Sequence, residues 1–148
     1  MATAEQMEAL GASFASAGVR RGIVHLVGEL GSGKTTFVRG YLRGSGWRES
    51  VKSPTYTIVE PYEQSELRVY HFDLYRIGDP DELEWMGFRD YCRDDALLFI
   101  EWPERAEGYL PSPTAALDFQ WSRSGRTVTL IANALSPQLR AKIGQISL

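Results

Sequence analysis

Residues 28–36 read Gly28-Glu29-Leu30-Gly31-Ser32-Gly33-Lys34-Thr35-Thr36, a full G-x-x-x-x-G-K-[ST] run, and this stretch decides the fold. Before it, Ile23-Val24-His25-Leu26-Val27 is a short apolar run of strand type; after it, Phe37-Val38-Arg39-Gly40-Tyr41-Leu42 continues at helical spacing. A strand that stops at Gly28, a glycine-rich loop and a helix opening at about Lys34 let backbone N–H groups converge on phosphate oxygens. The positive end of that helix is aimed at the same anion. The reading is a nucleoside triphosphate site for ATP and, after turnover, ADP. Gly31 and Gly33 permit backbone angles that a side chain obstructs, and Ser32 and Thr36 complete the cradle. Lys34 is placed to reach the β- and γ-phosphates, and Thr35 offers a hydroxyl to Mg²⁺.

Outward from the loop, the chain alternates helical and strand patterns. Thr3-Ala4-Glu5-Gln6 has the spacing of a capping box, and Met7, Leu10, Phe14 and Ala17 recur at helical intervals until Gly18. Beyond the loop helix, Gly44-Ser45-Gly46 breaks the pattern. Tyr56 to Glu60 and Leu67 to Phe72 read as an antiparallel strand pair joined by a turn at Gln64-Ser65. Asp79-Pro80-Asp81-Glu82 predicts a short helix with Asp79 as cap and Pro80 at the first helical position; Gly87 separates it from Phe88 to Tyr91. Ala96 to Ile100 is a fully apolar run, read as a buried parallel strand ending on Glu101-Trp102-Pro103. Ala116 to Trp121 and Thr127 to Ala132 flank a glycine-bearing hairpin turn, and the tail from Ser136 to Leu148 suggests a weak helix. No internal repeat or low-complexity stretch occurs. These elements predict a single α/β domain of the P-loop NTPase type, a mixed sheet flanked by helices, with its core over about 4–133 and a tail over about 134–148.

Composition narrows the function classes. The chain has 148 residues, enough for one domain with a real core but not for a separate substrate domain beside a nucleotide-binding sheet. Sixteen basic against 19 acidic residues, net −3, argue against a surface devoted to nucleic acid. The cluster Arg20, Arg21, Arg39, Arg43, Arg48 and Lys52 reads as a solvated face. The single cysteine, Cys92, excludes an intramolecular disulfide and suits a reducing compartment. Met1 to Ala17 lacks a basic start and a continuous apolar run, and no stretch reaches the roughly eighteen apolar residues of a membrane span, so a cytoplasmic protein is expected.

Three features compete for the metal and the water. A triphosphate site calls for a carboxylate at the end of a strand beside the loop, and Glu101, directly after an apolar strand, meets that need as a metal ligand. The alternative for Glu101 is a strand-end cap or an arginine partner. Asp73 ends the strand in His71-Phe72-Asp73-Leu74-Tyr75-Arg76, where a carboxylate is suited to orient the attacking water; its alternative is an ion pair with Arg76. His71 reads as structural. Ser53-Pro54-Thr55 places two hydroxyls around a proline, suited either to a switch segment closing on the γ-phosphate or to an ordinary turn.

Val51-Lys52-Ser53-Pro54-Thr55-Tyr56-Thr57, His71 to Arg76, Asp79-Pro80-Asp81-Glu82-Leu83-Glu84 and Ile100-Glu101-Trp102-Pro103-Glu104 follow the loop in this order. With these motifs the chain resembles the TsaE family over about residues 4–133. That family comprises small bacterial ATPases of the machinery that makes N6-threonylcarbamoyladenosine in tRNAs decoding ANN codons. The resemblance implies Thr35 and Glu101 as magnesium ligands, Asp73 as a residue needed for hydrolysis and Trp102 as a neighbour of the nucleotide. It implies docking on the threonylcarbamoyl-transferring subunit (TsaD) and its inactive paralogue (TsaB), with tRNA reached only through that complex. ATP turnover then resets the complex for further cycles. In one place the chain departs from the family: many members carry a threonine in the first helix near the adenine, where this chain has Met7, so packing or backbone contacts replace a hydroxyl.

From the residues, the leading function is an ATP hydrolase whose slow turnover a protein partner raises. A small-molecule kinase lacks an arginine-rich lid or acceptor domain in the remaining length. A nucleotide-sensing module would bind without useful hydrolysis, and a guanine-specific enzyme lacks an Asn-Lys-x-Asp motif. Arg126 sits near a hairpin tip suited either to the nucleotide or partner or to solvent.

Overall fold

The computed structural model describes residues 3–122, 125–132 and 137; the predicted tail helix lies outside them apart from Pro137. Helix α1 (Ala4–Ser16) opens on the predicted capping box. The Thr3 hydroxyl accepts from Gln6 N–H, and the Gln6 side chain accepts from Thr3 N–H. Strand β1 (Gly22–Gly28) runs into the glycine loop and α2 (Lys34–Gly44). The hairpin β2 (Val59–Gln64) and β3 (Leu67–Asp73) follows, then α3 (Asp81–Trp85), α4 (Phe88–Tyr91) and β4 (Leu97–Glu101). A 3-10 turn over Pro103–Ala106 leads to β5 (Ala115–Ser122) and β6 (Gly125–Ala132).

All six strands form one sheet in the order β2-β3-β4-β1-β5-β6. The four inner strands are parallel, and β2 and β6 close the edges antiparallel. The carboxyl ends of β1, β3 and β4 therefore lie side by side, the place where open α/β sheets put their ligand sites. Register fixes the neighbours: Asp73 lies opposite Glu101, and Glu101 opposite Leu26.

Each face of the sheet has its own core. Helices α1 and α2 cover one with Met7, Leu10, Phe14, Phe37 and Tyr41 against Val24, Leu26, Phe99, Leu117 and Phe119. Phe37 is central, with edge-on rings of Phe14 at 5.1 Å, Phe119 at 5.8 Å and Phe99 at 5.9 Å. The other core joins Phe72, Leu98 and Ile100 to Leu83, Phe88 and Ala106. Helices α1 and α2 touch backbone to backbone: a Cβ on Gly40 would stand 2.0 Å from the Glu8 carbonyl oxygen, and one on Gly11 2.1 Å from that of Phe37. This close crossing presses α2, with Lys34 and Thr35 at its first turn, onto the sheet. No helix of the described residues is long and apolar enough to cross a membrane.

Some boundaries depart from the sequence reading. The strand expected from Tyr56 begins at Val59. Residues 54–58 form a turn closed by Ile58 N–H to the Pro54 carbonyl at 2.8 Å, with Ile58 at a φ of 70°. Pro61 is tolerated in β2 because β2 is an edge strand. Helix α3 begins at Asp81, with Pro80 in the cap position and the Asp79 carboxylate accepting from Asp81 N–H at 2.9 Å. Glu101 is the last residue of β4 rather than the residue after it. The basic cluster is partly paired: Arg39 faces Glu8 at 3.7 Å, and Arg43 donates to the carbonyls of Trp47 and Glu49.

Candidate functional site

The glycine loop forms the floor of a cleft of about 380 Å³ lined by Leu30, Gly31, Ser32, Gly33, Lys34, Thr35, Thr36, Thr55, Asp73, Glu101 and Arg126. Every candidate that the loop supplied lies here, together with the two acids. A larger cleft of about 610 Å³ lies by Arg20, Arg21, Gln64 and Arg68, and it holds none of the candidates. At the head of α2, Gly33 occupies the cap position at a φ of 108°, where a side chain is strained, and no side chain among the described residues caps the helix. Its first N–H groups therefore have no side-chain acceptor among the described residues, the arrangement that favours an incoming anion.

Four ionisable groups here are out of water: His71 is 0% exposed, Glu101 3%, Lys34 4% and Asp73 7%. The Lys34 ammonium donates to the Gly28 carbonyl and lies 4.3 Å from the centre of the Trp102 ring. Burial lowers its pKa, and the carboxylates of Glu101, Asp73, Glu104 and Glu29 pull it back up. Trp102 is not in the cleft wall itself. It leaves β4 at a φ of 57°, outside the usual range for a side-chain-bearing residue, which lays its indole along Lys34 and 5.0 Å from Tyr75.

The two acids differ in their partners. Glu101 Oε2 accepts from Thr35 Oγ1 at 3.1 Å and lies 2.5 Å from His71 Nε2. Asp73 Oδ1 accepts from Tyr75 N–H at 3.0 Å. Burial raises the Asp73 pKa and nearby Glu101 adds to the rise, against the lowering effects of the Tyr75 N–H, His71 and Lys34. Arg76 does not pair with Asp73; it lies over the Tyr56 ring at 4.4 Å. Ser53 and Thr55 hydroxyls are 2.7 Å apart, and Thr55 faces the cleft. Met7 is fully buried under the loop, where a Cβ on Gly33 would meet its Cε at 2.9 Å.

The sequence reading left His71 outside the site. Its signal was available: in a strand, residues two apart share a face, so His71 and Asp73 point the same way, and the register carries both toward β4. The donor set at Thr35 and Glu101 fits a small hard cation, since both offer oxygen. Among the described residues no group of three or more His, Cys, Asp or Glu side chains could hold a metal by itself. Such a pair suits magnesium, which takes most of its remaining ligands from phosphate and water.

The family model described as threonylcarbamoyl adenosine biosynthesis protein TsaE matches residues 1–128. The chain belongs to the TsaE family. Among relatives named tRNA threonylcarbamoyladenosine biosynthesis protein TsaE, that of Haemophilus influenzae is 48% identical over 110 residues, 74% of this chain and 70% of that protein. The Bacillus subtilis protein is 39% identical over 102 residues, 69% of this chain and 61% of its own length. The Borreliella burgdorferi protein is 38% identical over 107 residues, 71% of this chain and 77% of its own. The crystal structure of Bacillus subtilis YdiB superposes with a TM-score of 0.79, covering 98% of this chain and 91% of that one at 24% identity, so the two share a fold. The TsaE match spans all the residues of the cleft wall, from the loop to Arg126.

Proposed function

We propose that this chain is a magnesium-dependent ATPase, converting ATP and water to ADP and phosphate, in the biosynthesis of threonylcarbamoyladenosine on tRNA. Its turnover is slow alone and is raised by the threonylcarbamoyl transferase subunit TsaD with its paralogue TsaB, the pair on which it acts. What supports the reading most is the convergence, from three adjacent strand ends and one helix head, of Lys34, Thr35, Glu101 and Asp73 around the glycine loop. Membership of the TsaE family supplies the pathway.

In this reading the loop amides and Lys34 hold the polyphosphate. Lys34 must leave the Gly28 carbonyl to do so, and its resting place beside Trp102 keeps the ammonium within the cleft. Thr35 and Glu101 would hold Mg²⁺, which would supply positive charge to offset that of the phosphates. His71 fixes the Glu101 carboxylate from below by a bond to the same oxygen that Thr35 uses. Asp73 orients the water for in-line attack and accepts its proton, and Tyr75 N–H holds the carboxylate's other side. Thr55, in the lining of the same cleft, offers a further hydroxyl to the phosphates. The test is phosphate release by purified protein with ATP and magnesium, with and without the transferase pair. Lys34→Ala is expected to abolish release, and unchanged release in that variant would reject the site. Phosphate transferred to a metabolite without free phosphate would favour a kinase instead.

A further inference from the structure

The cleft of about 610 Å³ lies at the opposite end of the sheet from the glycine loop, where β1, β3 and β4 begin. Its wall takes Arg20 and Arg21 from the link into β1, Arg68 from the head of β3, Asp95 from the approach to β4, and Gln64, Ser65 and Glu66 from the hairpin turn. Register places the basic groups. Gly22 and Val69 both lie opposite Leu97, so Arg21 and Arg68, one residue earlier on each strand, flank β4 at two strand spacings, about 10 Å along the backbone row. The nearby carboxylates are held by other groups. Asp95 receives the fork of Arg93, at 2.9 Å from Nε and 3.1 Å from Nη2, and Glu63 accepts from the Tyr70 hydroxyl at 2.7 Å. Arg68 is left with looser approaches, 3.5 Å to Asp95 and 3.8 Å to Glu63, and neither Arg20 nor Arg21 forms an ion pair among the described residues. Ser45 Oγ, in the same wall, is buried beside the Tyr41 hydroxyl, which gives its proton to the Val19 carbonyl; it has no hydrogen-bond partner among the described residues. The C-terminal end of α2 at Ser45 favours a cation nearby, which accounts for Arg20 but not for Arg21 and Arg68.

We propose that this cleft binds a compact ligand bearing two or more phosphate groups, of the sugar bisphosphate or polyphosphate class. Guanidinium forks match phosphate oxygens two at a time, and donors on either side of β4 receive a phosphate at each end of one small molecule. No aromatic ring stands in the wall among the described residues, so nothing there stacks a nucleobase. The Ser45 and Ser65 hydroxyls and the Gln64 amide instead suit a polar body between the phosphates. The volume is that of a small-molecule site. This cleft shares no residue with the one at the glycine loop, so it stands apart from the nucleotide reading.

Calorimetry with the full chain in the presence of excess ADP tests this, titrating fructose 1,6-bisphosphate, tripolyphosphate, fructose 6-phosphate and fructose into the parent, Arg21→Gln, Arg68→Gln and Arg68→Lys. The parent should bind the bisphosphate or tripolyphosphate, and each glutamine variant should lose about tenfold or more in that affinity. Fructose 6-phosphate should bind about tenfold more weakly than the bisphosphate, and fructose not at all. Tighter binding of the bisphosphate identifies an organic ligand, and tighter binding of tripolyphosphate an inorganic one. Arg68→Lys keeps the charge and should lose less than Arg68→Gln; it carries the test if the glutamine variant melts early. Backbone amide shifts on titration should fall at Arg20 to Gly22, Ser45 and Gln64 to Arg68. Absence of binding by both phosphorylated probes, equal affinity in the parent and the glutamine variants, or shifts confined to Gly31 to Thr36 overturns the proposal. Failure of ADP to bind would remove the nucleotide reading and leave this result to stand by itself.

Discussion

Asp73 carries its carboxylate into a place where burial opposes ionisation, which raises its pKa above the ordinary Asp value. The sign of the consequence follows from proton linkage. The folded protein holds this proton more tightly than the unfolded chain, so Asp73 favours the fold at low pH. That contribution is lost as pH rises from the ordinary carboxylate range through the raised value. Above that range the buried charge is a standing cost, so Asp73→Asn, which retains an oxygen for the Tyr75 N–H, should raise Tm at neutral pH by a few degrees, about 1 kcal/mol. The same variant should lose most ATP turnover and the acid limb of its pH profile; thermal melts and phosphate release against pH check both. His71 gives a second expectation. His71→Leu removes the donor to a carboxylate that is 3% exposed and should cost about 1–3 kcal/mol, whereas His71→Gln keeps a donor and should retain more stability and more turnover. Urea unfolding and phosphate release of the two variants, side by side, decide it.

At the scale of elements, α1, β1, α2, β3 and β4 were legible because each carries a periodic apolar pattern bounded by a local stop: the Thr3 to Gln6 box, Gly28, the Gly44 break and the polarity change at Glu101. The start of β2 was not. Tyr56, Thr57 and Ile58 have strand propensity, but the Pro54 carbonyl takes the Ile58 N–H, and the Ile58 carbonyl is taken by Asp73 N–H at 2.8 Å, so tertiary bonding overrides propensity. The helix crossing was hidden for the opposite reason. Glycine inside a helix ordinarily weakens it, and only the packed pair shows that Gly11 and Gly40 each mark where another backbone passes. Helix propensity alone predicts that Gly40→Ala stabilises by about 1 kcal/mol. Crowding of the new Cβ at 2.0 Å from the Glu8 oxygen predicts the reverse, a loss of about 2–4 kcal/mol, because the atom met is backbone and cannot rotate away. Denaturant unfolding gives the sign directly. Since α2 presents Lys34 and Thr35, the same shift should weaken ADP binding without any change in the cleft's own residues.

For the whole molecule, strand order lay beyond the sequence because β1 and β4 are both nearly continuous apolar runs, with no alternation to say which neighbour each takes. The order decides the site: with β4 between β3 and β1, Asp73, Glu101 and Gly28 end in adjacent positions, and an order that parted these three strands would scatter them. Such a site holds four buried ionisable groups beside the loop, so ligand binding and global stability should be coupled. A nucleotide that binds only the folded chain, supplied at about a hundred times its Kd, adds about 2.7 kcal/mol. For a chain of this size that corresponds to a rise in Tm of about 5–10 °C. The rise should require magnesium, should be abolished in Lys34→Ala, and should exceed that given by the same concentration of adenosine. Thermal melts with ADP and magnesium, ADP with a chelator, and adenosine form the full set. Equal melts in all three would show that the cleft does not take a nucleotide, whatever the family membership says about the pathway.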